Sequence, residues 1–446
     1  MFKKTCYIFS TLGLGLSVSC VTPPGPDIRA AAGLANAVQF RAESLPTDAP
    51  PVGNALDLPA AIERAVRQSP TLQAALAEVR AAQADARQSR LLPNPVLSVV
   101  FRYPDGGGSS VTETGLTADL LTVLQTPRRI RAADNRLRAA SARAVAAALD
   151  VIADTEKSYH TANALRQEMV LLEQGAGHID RLLQIARHRL DAGEGTRLDV
   201  ATLEARRAET RIDLQERRLK LTQEQLALAR LLGQPSGDTD WQQTTSLPVA
   251  ALVRSEADWL VAALRKRPEI QADRWQLAAL EDRRALARLA FLEGSAAGLD
   301  AERDGDWSLG PSLAVPLPLF DWGQARRAKA RALVIAARHR LTQIVRQTVQ
   351  EVRQAHAAQA RLAAAAAQAR EQLTPLQQQR VDLARAVYES GQSGIKPLLL
   401  AEIDLQKAQL RAVQLELRAA VAAIELRRAS GGAAPIFKTK TTTQKQ

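Results

Sequence analysis

Aromatic side chains make up only 4% of the 446 residues, and there are 2 methionines and 2 cysteines. A compact domain draws much of its core from rings. Their scarcity beside 46% apolar residues points instead to long helices of Ala and Leu, both strong helix formers. Cys6 lies in an N-terminal stretch that reads as an export signal, so a processed chain would keep one thiol and no internal disulfide. After residue 20 no segment offers the roughly 18 unbroken apolar residues that a spanning helix needs. If the chain crosses a membrane, it does so with strands. His160, His178, His188, His339 and His356 show no ligand spacing, so no metal or other cofactor is expected. There is no phosphate loop after a strand, no nucleophile elbow and no paired carboxylates that would mark a catalytic pocket, and the chain does not read as an enzyme. The net charge of +12 comes mainly from arginines spread along the chain. That fits the solvated faces of long helices better than a nucleic-acid surface, where the cations would cluster with aromatics.

Lys3 and Lys4, an apolar run from Tyr7 to Val18 and small residues before Cys20 read as a signal over residues 1–20. A Cys directly after a signal resembles the bacterial lipoprotein motif, which makes Cys20 the candidate lipidation site. Ser17 departs from that motif where Leu is preferred. Residues 21–54, rich in Pro, Gly and Ala without any period, read as an extended arm.

Asp57-Leu58-Pro59 then opens a helix with an apolar stripe at Ile62, Val66, Leu72, Leu76 and Val79, which Pro70 kinks or divides. After Leu91-Leu92-Pro93-Asn94-Pro95 the period changes to two. Leu97, Val99, Phe101 and Tyr103 fall on one face, opposite Ser98 and Arg102. With a turn at Pro104 to Gly108 and a returning strand, this predicts a hairpin over 96–123. A long helix follows over 127–191, weakly interrupted at Gly175 and Gly177, then a reversal at Gly193-Glu194-Gly195-Thr196 and a helix over 198–232.

The programme then restarts. Pro70, Arg128, Gly193 and Gly233 recur as Pro268, Arg326, Gly391 and Gly431, each pair 198 positions apart. A constant offset marks a duplication. The first repeat spans 55–235, a linker 236–252, and the second repeat 253–433, with a hairpin over 294–318, a long helix over 325–389, a helix over 397–430 and a disordered tail over 434–446. Pro375 sits opposite Gly177, so both rods are expected to bend at the same height. If the helix ending one copy stacks on the helix opening the next, the pair matches one long rod. The fold class is therefore mainly α with a small β part: a long antiparallel helical body with four strands at one end. A closed membrane barrel needs at least eight strands, and open edges cannot face lipid, so several chains would have to share one barrel. Leu97, Val99, Phe101 and Tyr103 would then be its lipid-facing side. The alternative is a soluble hairpin covering a helix.

The double repeat, the Leu91-to-Pro95 entry, the Leu319-Phe320-Asp321-Trp322-Gly323-Gln324 run and the glycine reversals resemble the outer membrane factor (TolC-like) family of efflux channels, especially its CzcC-type branch. The resemblance covers about residues 55 to 433. It implies a homotrimer with a shared twelve-stranded barrel in outer-membrane lipid and a helical tunnel through the periplasm. It also implies docking to a periplasmic adaptor and an inner-membrane pump, with small molecules or metal ions as cargo. The competing reading is a periplasmic adaptor or structural coiled-coil protein, which would need compact β domains around a single helical hairpin. The resemblance places a periplasmic gate at the reversals, making Gly193, Glu194, Asp199, Gly391 and Lys396 the candidate tip residues. Asp199 is read either as a gate carboxylate or as a first-turn helix residue. Pro397 stands at its place in the second copy, next to Lys396, so the usual carboxylate ring is in doubt. Trp307 and Trp322 flank the last strand, as girdle or packing residues.

Overall fold

The computed structural model describes residues 55–103, 105–106, 110–243, 254–304 and 306–432. Residues 1–54, most of the linker and the tail, and with them Cys20, lie outside the described residues.

Helix α1 (Leu58–Gln68) is capped by Asp57, whose carboxylate accepts the Ala60 N–H at 2.9 Å. Ser69 caps α2 (Pro70–Gln88), so Pro70 divides the two helices by starting the second. Strands β1 (Val96–Arg102) and β2 (Val111–Asp119) form the first hairpin. The rod α3 runs from Leu120 to Asp191, 72 residues or roughly 110 Å. The expected start at Pro127 is seven residues late, and the returning strand correspondingly stops at Asp119 and not at 123. Asp119 accepts both the N–H and the hydroxyl of Thr122, a cap that starts the helix before the proline. Gly193 turns the chain at φ +76° into α4 (Arg197–Leu231).

In the second repeat α5 (Glu256–Lys266), α6 (Pro268–Leu286) and the last helix α9 (Ile395–Ala429) begin and end 198 positions after α1, α2 and α4. A 3-10 turn (Ala287–Leu292) leads into β3 (Ala296–Asp304) and β4 (Asp306–Ala314). The second rod is broken: α7 (Gln324–Gln368), a π turn (Ala369–Leu373) and α8 (Thr374–Glu389). Pro375 lacks an N–H, and its ring would clash with the Glu371 carbonyl, so the wider π turn relieves the helix there. The first rod stays helical through Gly175 and Gly177. The first rod therefore has no break to match the π turn: glycine without a proline leaves the hydrogen-bond ladder intact.

The end-to-end stacking also differs from expectation, because each copy stacks on itself. Leu228, Ala229 and Leu232 at the end of α4 pack against Ala61 and Ala65 of α1, and Arg64 Nε donates to the Leu232 carbonyl at 3.1 Å. Leu426 and Ala429 of α9 likewise meet Trp259 and Ala263 of α5. The segment between Leu231 and Glu256 is long enough to let the second copy start elsewhere. At mid-height it contributes a two-residue strand, Gln242–Gln243, which pairs in parallel with Ala55–Leu56 over the buried Tyr159. The four main strands form one antiparallel sheet in the order β1-β2-β3-β4, with β2 and β3 joining the copies from Thr112↔Arg303 to Asp119↔Ala296. The two reversals pack together at the other end, where Leu182, Leu183 and Leu203 meet Tyr388, Ile395 and Leu398.

Candidate functional site

Residues directly opposite in an antiparallel pair share a face. The register therefore puts Leu97, Val99 and Phe101 of β1 in line with Leu116, Thr114 and Thr112 of β2, with Leu299, Ala301 and Arg303 of β3, and with Pro311, Leu309 and Trp307 of β4. The large apolar members of this face, and Tyr103 beyond the strand, are all exposed in the single chain. The other face carries Ser98, Glu113, Thr117, Asp300, Glu302 and Ser308, with Val96, Val100 and Val111 among them, and is the more polar of the two. Arg102 pairs with Glu113 at 2.9 Å. One sheet thus has an apolar and a polar side, and β1 and β4 are unpaired at its edges.

At the opposite end, Gly193 and Gly391 hold the left-handed turns at φ +76° and +75°. Glu194 and Lys396 are exposed at the two turns. Asp199 closes a capping box: its carboxylate accepts from the Thr196 hydroxyl at 2.7 Å and N–H at 3.3 Å, while Thr196 Oγ1 accepts the Asp199 N–H at 3.1 Å. The second tip has Gly394 at the cap position without a side-chain bond. Asp199 and Lys396 make no ion pair with each other among the described residues.

Contacts not expected from the sequence bind the tips together. Arg187 meets Glu204 at 2.6 Å and Arg385 meets Glu402 at 3.0 Å, the same bridge 198 positions apart. His178 Nδ1 lies 3.3 Å from Glu402, linking α3 to α9, and the Arg189 guanidinium stands 5.2 Å above the Tyr388 ring. Only the repeat offset could have flagged the first pair. Above them Gln406 lies against Gly175, where any Cβ would be 2.0 Å from its amide nitrogen.

At mid-height a charged network ties the copies. Arg428 pairs with Asp150 and Glu269, both at 2.5 Å, and Arg427 with Glu156 at 2.6 Å. Burial raises the Glu156 carboxyl above its usual range, opposed by Arg427. Burial, aided by Arg427, lowers His160 to about 4. No cluster of three or more metal-ligand side chains is present among the described residues, and no described helix is long and apolar enough to span a membrane.

The residue pattern of the outer membrane efflux protein family matches residues 61–234 and 259–432. The chain belongs to that family. The two matches start and end 198 positions apart, as the helices do. The pyoverdine export outer membrane protein OpmQ of Pseudomonas aeruginosa is 26% identical, with 84% of this chain aligned to 85% of that one. The cobalt-zinc-cadmium resistance protein CzcC of Cupriavidus metallidurans is 26% identical, over 70% of this chain and 73% of that protein. The crystal structure of the outer membrane protein VceC of Vibrio cholerae superposes with a TM-score of 0.71 at 22% identity, covering 84% of this chain and 96% of VceC. The fold is that of TolC-like channels, and this outer membrane efflux protein is the channel subunit of an efflux system. The adaptor reading is set aside.

Proposed function

We propose that three copies join β1 to β4 edge to edge into a closed twelve-stranded barrel, with Leu97, Val99, Phe101 and Tyr103 toward lipid and the helices forming a passive tunnel through the periplasm. The observation that carries this is the sheet itself: an apolar face, a polar face and two open edges, which one chain cannot close in a bilayer. Its order supports closure, because four alternating strands leave β4 of one copy antiparallel to β1 of the next. Exposed Leu198, Ile212, Leu219 and Leu226 along α4 lie at multiples of seven, the spacing of a helix that packs against another copy.

In this reading the tips meet a periplasmic adaptor and its inner-membrane pump, and Cys20 carries a lipid. Small molecules or metal ions are the cargo. The pyoverdine and cobalt-zinc-cadmium functions named for the two relatives support a duct whose selectivity resides in the pump. Glu194, Asp199 and Lys396 line the tip around Gly193 and Gly391, with Asp199 acting first through its cap. Purified outer membranes should retain the protein until detergent extraction; recovery in the soluble periplasmic fraction contradicts the duct. In planar bilayers, Asp199→Ala should raise conductance or alter ion selectivity if the tip is the constriction. Unchanged traces would leave Asp199 as a cap alone. A diacylglycerol mass on Cys20, absent in Cys20→Ser, tests the anchor.

A further inference from the structure

Both rods carry arginines near their membrane-side ends. Aligned peptide dipoles leave partial positive charge at a helix N-terminus, and in α3 the Asp119 carboxylate answers it as the cap. Neither α3 nor α7 has an acid in its first turn. Arg128 and Arg129 follow in the third turn of α3, and Arg326 and Arg327 close to the start of α7. Arg326 is neutralised by Glu293 and Asp321. Arg327 gives its hydrogen bonds to the Trp322 and Gly323 carbonyls. Arg128, and Arg288 in the 3-10 turn, have no carboxylate within ion-pair distance among the described residues.

These cations belong to one surface. The Leu120 N–H donates to the Ser295 carbonyl at 3.1 Å, Gln125 reaches the Leu286 carbonyl, and Gly323 packs on Ala290 and Phe291. The start of α3, the 3-10 turn and the loop before α7 are therefore neighbours. That loop continues the apolar face of β4. Leu309 and Leu313 in the strand are followed by Val315, Leu317 and Leu319, all exposed; the chain turns at Pro318, where the Leu319 N–H donates to the Leu317 carbonyl at 2.8 Å. Phe320, 92% exposed, and Trp322 complete the patch. At about 3.3 Å per residue the stretch from Val315 to Leu317 adds on the order of 10 Å beyond the strand before the turn.

We propose that this junction is a phospholipid-binding collar. Leu319, Phe320 and Trp322 enter the glycerol region of the leaflet on the helix side of the barrel, and Arg128, Arg288 and Arg327 bind the phosphates of anionic glycerophospholipids. The stripe is continuous with the lipid-facing sheet, and Arg128, Arg288 and the guanidinium donors of Arg327 not used by the Trp322 and Gly323 carbonyls are open to an anion. The proposal rests on the barrel reading, and its test separates the two.

The full chain, with its native cysteines replaced by serine, is labelled with a fluorophore at Phe320→Cys or, separately, Val99→Cys. Each is reconstituted into vesicles of phosphatidylglycerol or phosphatidylcholine bearing a doxyl quencher on acyl carbon 5. Quenching at position 320 should be about twofold stronger in phosphatidylglycerol at low salt. The combined Arg128→Gln, Arg288→Gln and Arg327→Gln variant should lose that preference while position 99 stays quenched. Position 320 unquenched beside a quenched position 99 means that protein covers the loop, and overturns the collar. Equal quenching of position 320 in the two lipids overturns the phosphate assignment. An unquenched position 99 overturns the barrel and the collar together.

Discussion

The two repeats share the lengths of their three shorter helices to the residue, but their rods begin at different points and are fastened differently. The first rod is continuous over 72 residues and holds a buried His160 and Glu156 at mid-height. At the corresponding places, 198 positions on, the second rod has Ala358 and Gln354, and it is broken by a π turn. The first tip is closed by the Thr196–Asp199 box; the second has Gly394 and Pro397 and no side-chain cap. Duplication preserved the lengths because both copies must span the same distance. Capping and core polarity were free to diverge.

The largest expected effect is at the seam where the copies share the sheet. A Cβ at Gly298 would lie 2.2 Å from the Leu116 carbonyl oxygen and 2.9 Å from Thr117 Cα, backbone that cannot step aside. Gly298→Val should separate β2 from β3 at a cost of at least about 1–3 kcal/mol, and reduce assembled channel in the outer membrane roughly tenfold or more. Unchanged assembly would mean that the copies do not depend on this pairing. Gly394→Val in the second tip, where nothing lies within 4 Å, serves as the control.

The next effect separates the rods by pH. Burial lowers His160 to about 4 from an ordinary 6.5. Below about pH 6.5 the unfolded chain takes up a proton that the folded chain refuses, so stability is complete above that pH and falls as pH drops toward 4, by an amount on the order of 3 kcal/mol. Tm followed from pH 7.5 to 4.5 should decline less steeply in His160→Leu than in the native chain. Parallel curves would remove His160 from the account.

Much of this architecture was legible before any coordinates. Helix lengths followed from Ala, Leu and Arg propensity together with the 198-residue offset, and the sheet faces followed from the alternation of Leu97, Val99 and Phe101. The start of α3 was misplaced because Leu116, Ala118 and Leu120 keep alternating across the strand-to-helix change, and the signal that ends it, Asp119 as a cap, is a single residue. The partner of each short helix depends on the path of the linker, which local pattern does not encode. Tip contacts such as Arg189 over Tyr388 require neighbours far apart in sequence, and Asp199 could be placed near the tip but not in its capping box.

The smallest effects test the two tips directly. Thr196→Ala should destabilise the first by about 1 kcal/mol, lowering Tm by a few degrees. Gly394→Ser should stabilise the second by a few tenths of a kcal/mol to about 1, since its backbone, at φ −70° and ψ 174°, already suits a serine cap. Opposite signs would support the contrast between the tips; equal signs would break it.

The central claim is that the four-stranded sheet is one third of a barrel. Native mass spectrometry of the detergent-extracted protein measures this most directly. Three copies in one complex, lost together in Gly298→Val, is the predicted result. A native chain that is monomeric after gentle extraction would contradict it.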